Sequence, residues 1–287
     1  MPNRKTPPFS LPFVFGLVLS GLVLSGLVLL SSSAYGAPAA KLWARWQHHD
    51  PDSQITVDHA NWDTIVKSYV DTTHPSGIYR FKYATVTPED RQTLNNYLRK
   101  MQDIKVSELN RDEQKAYWIN LYNGLTVDVI LDHYPVRSIR AIDISPGFFS
   151  NGPWDAKLLK IEGEKLSLND IEHRILRPIW QDNRIHYAVN CASLGCPNLQ
   201  PEAFTSQNIN RLLEKAAGDF INHTRGVTFS RDKIQVSSIY IWFREDFGDS
   251  QEGIIRHLEK YLTPENLEKL KSGQKKMSHH YDWDLNE

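Results

Sequence analysis

Apolar positions along the chain follow two rhythms, one near 3.6 residues and one near 2, and their order predicts the fold. Trp62, Ile65, Val66, Tyr69 and Val70 recur at helical spacing between Asp58 and Asp71. Leu94, Tyr97, Leu98, Met101 and Ile104 mark the buried face of a second helix. Thr87-Pro88-Glu89-Asp90 starts that helix well: threonine caps, proline suits the first turn, and the acids sit at the positive end. Asn110, with Glu113 in capping-box position, opens a third helix that Pro135 ends. This helix is apolar on most sides, which makes it central. Tyr79, Phe81 and Tyr83 alternate as in a strand, residues 157–168 read as a hairpin, and 184–190 read as a strand. Ser167 or Asn169 caps a short helix between them. Residues 208–222 form an amphipathic helix, 227–229 and 234–236 a second hairpin, and 251–262 a last helix. Helices and hairpins follow one another without regular βα alternation. That predicts an α+β fold, a single domain with the central helix 111–133 packed on a small, mostly antiparallel sheet that includes 184–190.

The first residues carry a different pattern. Arg4 and Lys5 precede an apolar run from Leu11 to Leu30, then small residues through Ala37. Ala34 and Gly36 give the small-x-small signature of a cleaved export signal, so cleavage is expected after Gly36. An uncleaved anchor is the alternative, since about 20 apolar residues span a bilayer. In either case the cationic start stays inside and the remainder is expected to be periplasmic or secreted. The expected organisation is a signal peptide at 1–36, a lead-in segment at 37–86, an α+β domain at 87–265 and a charged tail at 266–287. Loss of the signal removes two cations and no acid, taking the formal charge from −1 to −3. Lys and Arg are scattered, so no nucleic-acid footprint is present; membrane contact is expected only if the signal is retained.

Three clusters carry candidate chemistry. Asn120 and Asn123 share a face of the central helix and need partners, because an unpaired buried amide costs about 1–3 kcal/mol. They either bond neighbouring backbone or help bind substrate. Glu172 and His173 are adjacent on the short helix, about 100° apart and not facing each other; a solvated Glu172–Arg177 ion pair is the plainer reading there. In the third cluster the predicted strand puts His186 and Asn190 on one face, leading into Cys191-Ala-Ser193-Leu-Gly195-Cys196-Pro197. Small residues in that turn let backbone approach a ligand closely. Arg184 and Ser193 join Arg177 as candidate binding residues.

The motifs YWINLYN at 117–123, SLNDIEH at 167–173, RIHYAVNCASLGCP at 184–197 and WFREDFG at 242–248 resemble the bacterial and plant family catalogued as domain of unknown function 547. The resemblance spans roughly residues 110–250. Gly195 departs from it, standing where many relatives carry Ser. The family name assigns no activity, so the resemblance leaves both activity and cofactor unknown.

For the two cysteines, Cys191 and Cys196, three readings stay open. They form a disulfide that pins the turn of a ligand-binding or scaffolding module, with a cell-envelope molecule as partner. Alternatively, Cys191 is the nucleophile of an amide hydrolase or acyl transferase, with His186 or His173 as base and Asn190, Asn120 or Glu172 as orienter. In the third reading, His173, His186, Cys191 and Cys196 bind a metal, although their spacing is not that of a zinc finger. Carboxylate chemistry by Glu172 with Asp182 or Asp246 is a further option that spacing does not place.

Overall fold

A computed structural model describes residues 1–3, 37–147, 151–230, 232–272 and 276–287; the predicted export segment lies outside them. The body of the molecule is Gly36–Glu287. Its first helix, α1 (Ala60–Tyr69), runs into β1 (Val70–Asp71), which pairs antiparallel with β2 (Arg80–Phe81). Two long helices follow, α2 (Pro88–Asp103) and α3 (Arg111–His133), then the hairpin β3 (Leu159–Ile161) and β4 (Glu164–Leu166). A π-helical turn, Asp170–Leu176, leads into α4 (Arg177–Trp180). After a 3-10 turn at Asn183–Tyr187 come α5 (Ile209–Ile221), β5 (Val227–Phe229) and β6 (Lys233–Ser237). The short α6 (Ile239–Trp242), then α7 (Gln251–Glu259), α8 (Pro264–Lys271) and β7 (Lys276–His280) complete the order. β7 adds to β6 in parallel, and β6 pairs antiparallel with β5. Among the described residues, helices and three small, separate sheets make an α+β fold. Among the described residues no helix is long and apolar enough to cross a membrane.

The helix starts form as their sequences dictate. The Thr87 hydroxyl accepts from the Asp90 N–H, and the Asn110 side chain accepts from the Glu113 N–H. The Glu113 carboxylate leaves its capping box incomplete and instead accepts from the Val57 N–H at 2.6 Å, tying the lead-in segment to α3. Every residue from Glu113 to Val127 is buried, so α3 is the axis of the main core. Trp62 and Tyr97 pack against it beside its Gly124, each 1% exposed. A second core gathers Tyr187, Phe220, Val236, Tyr240 and Leu258 where α5, the three-stranded sheet and α7 meet.

One expectation is corrected. Residues 184–190 form no strand, and α3 packs on no sheet there: the segment is a 3-10 turn followed by irregular chain. Two side chains explain this. Asp182 accepts the Arg184 N–H and starts the turn. The Asn123 amide then donates to the Ala188 carbonyl and accepts from the Asn190 N–H, standing in for the neighbouring strand that alternation implied. The predicted strand through Tyr83 is likewise short, because Tyr83 begins a 3-10 turn. Residues 276–287, read as part of a charged tail, add β7 and then return to the core, where Leu285 and Asn286 are buried. The Asn286 carbonyl accepts from the Phe81 N–H, and its side chain from the Tyr83 hydroxyl.

Candidate functional site

The Cys191–Cys196 turn is fixed by side-chain amides. Asn190 accepts from the Ala192 N–H and donates to the Pro197 carbonyl, spanning the loop end to end. Ala192 takes the left-handed conformation, φ 57°, which costs a non-glycine residue of order 1–3 kcal/mol. The returning chain grips the other side: Leu194 and Gly195 donate to the carbonyls of Asp284 and Asp282. A Cβ on Gly195 would lie 2.8 Å from the Asp282 backbone. The small residue thus admits the protein's own C-terminal segment, where the sequence suggested a ligand.

Inside the turn the two sulfurs lie 2.6 Å apart and both cysteines are free, so the disulfide expected from sequence is not formed here; a bond is ~2.05 Å. The Cys191 N–H points at the Cys196 sulfur at 2.9 Å. The Tyr281 hydroxyl lies 3.0 Å from the Cys191 sulfur and 3.3 Å from that of Cys196, and Ser193 Oγ lies 3.3 Å from Cys191. Trp242 and Trp283 hold the Tyr281 ring, each with its centroid 4.7 Å away. Burial alone would raise the Cys196 thiol, but hydrogen bonds from Cys191, Tyr281, the Cys191 N–H and Ser193 prevail and bring it down to about 7. Burial and the neighbouring sulfur push Cys191 well up. The pair therefore shares one proton near neutral pH, and Cys191 is the half-exposed member.

A second polar cluster lies beside the first. His186 donates from Nε2 to Asp246 Oδ2 at 2.7 Å and stacks on Phe243 with centroids 4.2 Å apart. The buried Arg177 guanidinium donates to Asp246 and Glu245, both at 2.6 Å, to the Pro38 carbonyl, and to His173 Nδ1. Glu172 Oε1 sits 3.8 Å from His173 Nδ1 and 3.9 Å from His186 Nδ1, and the Tyr122 hydroxyl faces it. Burial raises the Glu172 carboxyl to about 7 against the pull of Arg177 and Tyr122. Burial also lowers both imidazoles; Asp246 resists it at His186, while Arg177 adds to it at His173. Bonds from His186 and Arg177 overcome burial at Asp246 and hold it at about 2.

This geometry changes several expectations. Glu172 and His173 do meet, because the π turn is wider than an α turn and brings adjacent side chains into one buried cluster. The solvated Glu172–Arg177 pair is absent: Arg177 is committed to Asp246 and Glu245, and Glu172 is buried. Asn120 bonds the Phe204 backbone in both directions, and Asn123 and Asn190 brace the cysteine turn. Arg184 faces away, forked on Asp182 and paired with Glu214. No imidazole hydrogen-bonds either sulfur among the described residues. His173, His186 and the two cysteines do not converge: no three His, Cys, Asp or Glu side chains form a metal site among the described residues. Tyr281 and Arg225 went unnoticed in the sequence. Tyr281 lies in an aperiodic stretch, and only its aromatic neighbours, Trp283 among them, hinted at burial.

Residues 106–221 match the model of a family described as protein of unknown function, DUF547. The match takes in YWINLYN, SLNDIEH and the whole cysteine turn, and stops before Asp246. No curated protein and no solved structure matches the chain.

Proposed function

For this chain, which belongs to the DUF547 family through residues 106–221, we propose a role in thiol–disulfide exchange by Cys191 and Cys196. The observation that carries the reading is the ring of donors on the sulfurs. A purely structural disulfide gains little from hydrogen-bond donors, whereas a thiolate is stabilised by them. The Cys191 N–H and the Tyr281 hydroxyl are such donors, and Ser193 donates in turn to the Tyr281 oxygen. In the balanced step, the thiolate attacks one sulfur of an external disulfide, R–S–S–R, and expels the first RS⁻. The second cysteine then displaces RS⁻ from the mixed disulfide. Two R–SH leave, two electrons pass from the protein to the reagent, and the protein pair becomes a disulfide. The Cys191–Cys196 disulfide inferred from sequence is, on this reading, the oxidised half of a couple.

The reading takes the protein as exported, periplasmic or secreted, on the strength of the pattern in residues 1–36. Its co-reactant is then a disulfide-bearing molecule of the cell envelope. A hydrolase or transferase would need an imidazole on Cys191, and among the described residues none hydrogen-bonds either sulfur. The second cluster supports the π turn and holds the aromatic motif in place.

Reduced protein is exposed to a small disulfide and then to a dithiol, with alkylation and mass measurement after each step. Two thiols should vanish and both should return, while Cys191→Ala and Cys196→Ala stop at mixed disulfides. A pair that never closes, or once closed never reopens, contradicts the role.

A further inference from the structure

We propose that Arg225 and the cavity beside the cysteine turn bind the carboxylate of a small acidic thiol or disulfide, an inference that rests on the exchange reading above. The cavity is small, about 50 Å³, and is lined by Gly195, Thr224, Arg225, Gln235, His280 and Tyr281. Asp282 also borders it; its carboxylate accepts from the Asp284 N–H and its carbonyl from the Gly195 N–H. Two of these walls belong to the thiol site: Gly195 precedes Cys196, and the Tyr281 hydroxyl touches both sulfurs. Tyr281 is thus the side chain shared by the cavity and the reacting pair.

Arg225 is the unusual wall. Its guanidinium donates to the Leu194 carbonyl and to the Asn198 side chain, so it is fixed on the cysteine turn. Its body lies against Phe220, with the guanidinium carbon 5.4 Å from the ring centroid. The Nε–H is buried without an acceptor. Among the described residues no carboxylate forms an ion pair with it. Burial is the main influence on this group and brings it down to about 10, with Cys196 and Tyr281 opposing. An immobilised, largely desolvated cation lacking a carboxylate partner has a strong claim on an anion, and guanidinium suits a carboxylate in geometry. The ligand class follows: one end carries the sulfur that Cys191 meets, and the other a carboxylate that Arg225 holds.

Two probes separate charge recognition from thiol reactivity. One is a dianionic aryl disulfide bearing a carboxylate on each ring; the other is a neutral dipyridyl disulfide. Stopped-flow rates with reduced protein give the anionic-to-neutral ratio. Arg225→Gln should lower that ratio about tenfold, whatever it does to both rates together, and Arg225→Lys should restore part of it. A simple dicarboxylate should slow the anionic probe and leave the neutral one unchanged in the wild-type protein, a check that survives if Arg225→Gln fails to fold. An unchanged ratio in a folded Arg225→Gln, or equal slowing of both probes by the dicarboxylate, overturns the proposal and leaves the exchange reading standing. If neither probe oxidises the wild-type pair, the exchange reading itself falls.

Discussion

The two buried polar clusters differ in what their polar groups face. Around Arg177 each strong charge has a partner: Asp246 and Glu245 meet the guanidinium, His186 meets Asp246, and Arg177 reaches His173. Around Cys191 and Cys196, donors converge on two sulfurs in contact with each other, and Cys191 is the less buried of the two residues. Matched charges in a dry site hold a fold together. Donors aimed at a nucleophile tune its chemistry. Residues 242–246 join the two, with Trp242 against Tyr281 and with Phe243 and Asp246 against His186.

Arg177→Met should break this contrast most severely. It strands Asp246 and Glu245 and should cost about 3–5 kcal/mol, read as a lower denaturation midpoint. A loss under 1 kcal/mol would show that the cluster is not the structural half.

Glu172 comes next. Its carboxyl titrates at about 7 in the folded protein against 4.5 unfolded, so the folded state binds the proton more tightly. The stability this gives is fully present below 4.5 and is lost as pH rises through 7. Glu172→Gln should therefore gain on the wild type between pH 4.5 and 7, by an order of 2–3 kcal/mol at pH 8. A pH-independent difference in chemical denaturation would contradict the buried position.

Tyr281→Phe should be the mildest in stability, within about 1 kcal/mol, because it removes one hydroxyl from a ring held by two tryptophans. Its effect is chemical: with one donor gone, the thiol pair titrates above about 7 and alkylates more slowly at neutral pH. Unchanged alkylation would separate Tyr281 from the thiolate.

Much of the helical frame was legible in the sequence, because its signals are local. Thr87 and Asn110 cap where their neighbours predict, and the 3.6 rhythm of α1, α2 and α5 marks their buried faces. Both hairpins followed from alternation. The segment 184–190 misled because its sequence reads as a strand with two faces, whereas residues 185–190 are all buried, in a 3-10 turn and a stretch of chain clipped by Asn123. Cys191, Cys196 and Ser193 were legible as a cluster from their crowding in one turn. Tyr281, Arg225 and the Asp246 partnership were not, since each reaches its site over dozens of residues and no short-range pattern encodes that.

The most direct test is the redox midpoint of the pair, measured by equilibrating the protein in graded thiol–disulfide buffers and weighing alkylated and oxidised forms. Donors that stabilise the reduced thiolate make the couple more oxidising, so a single two-electron transition above about −300 mV is predicted. A disulfide that stays closed well below about −300 mV would make Cys191–Cys196 a structural staple and contradict the account.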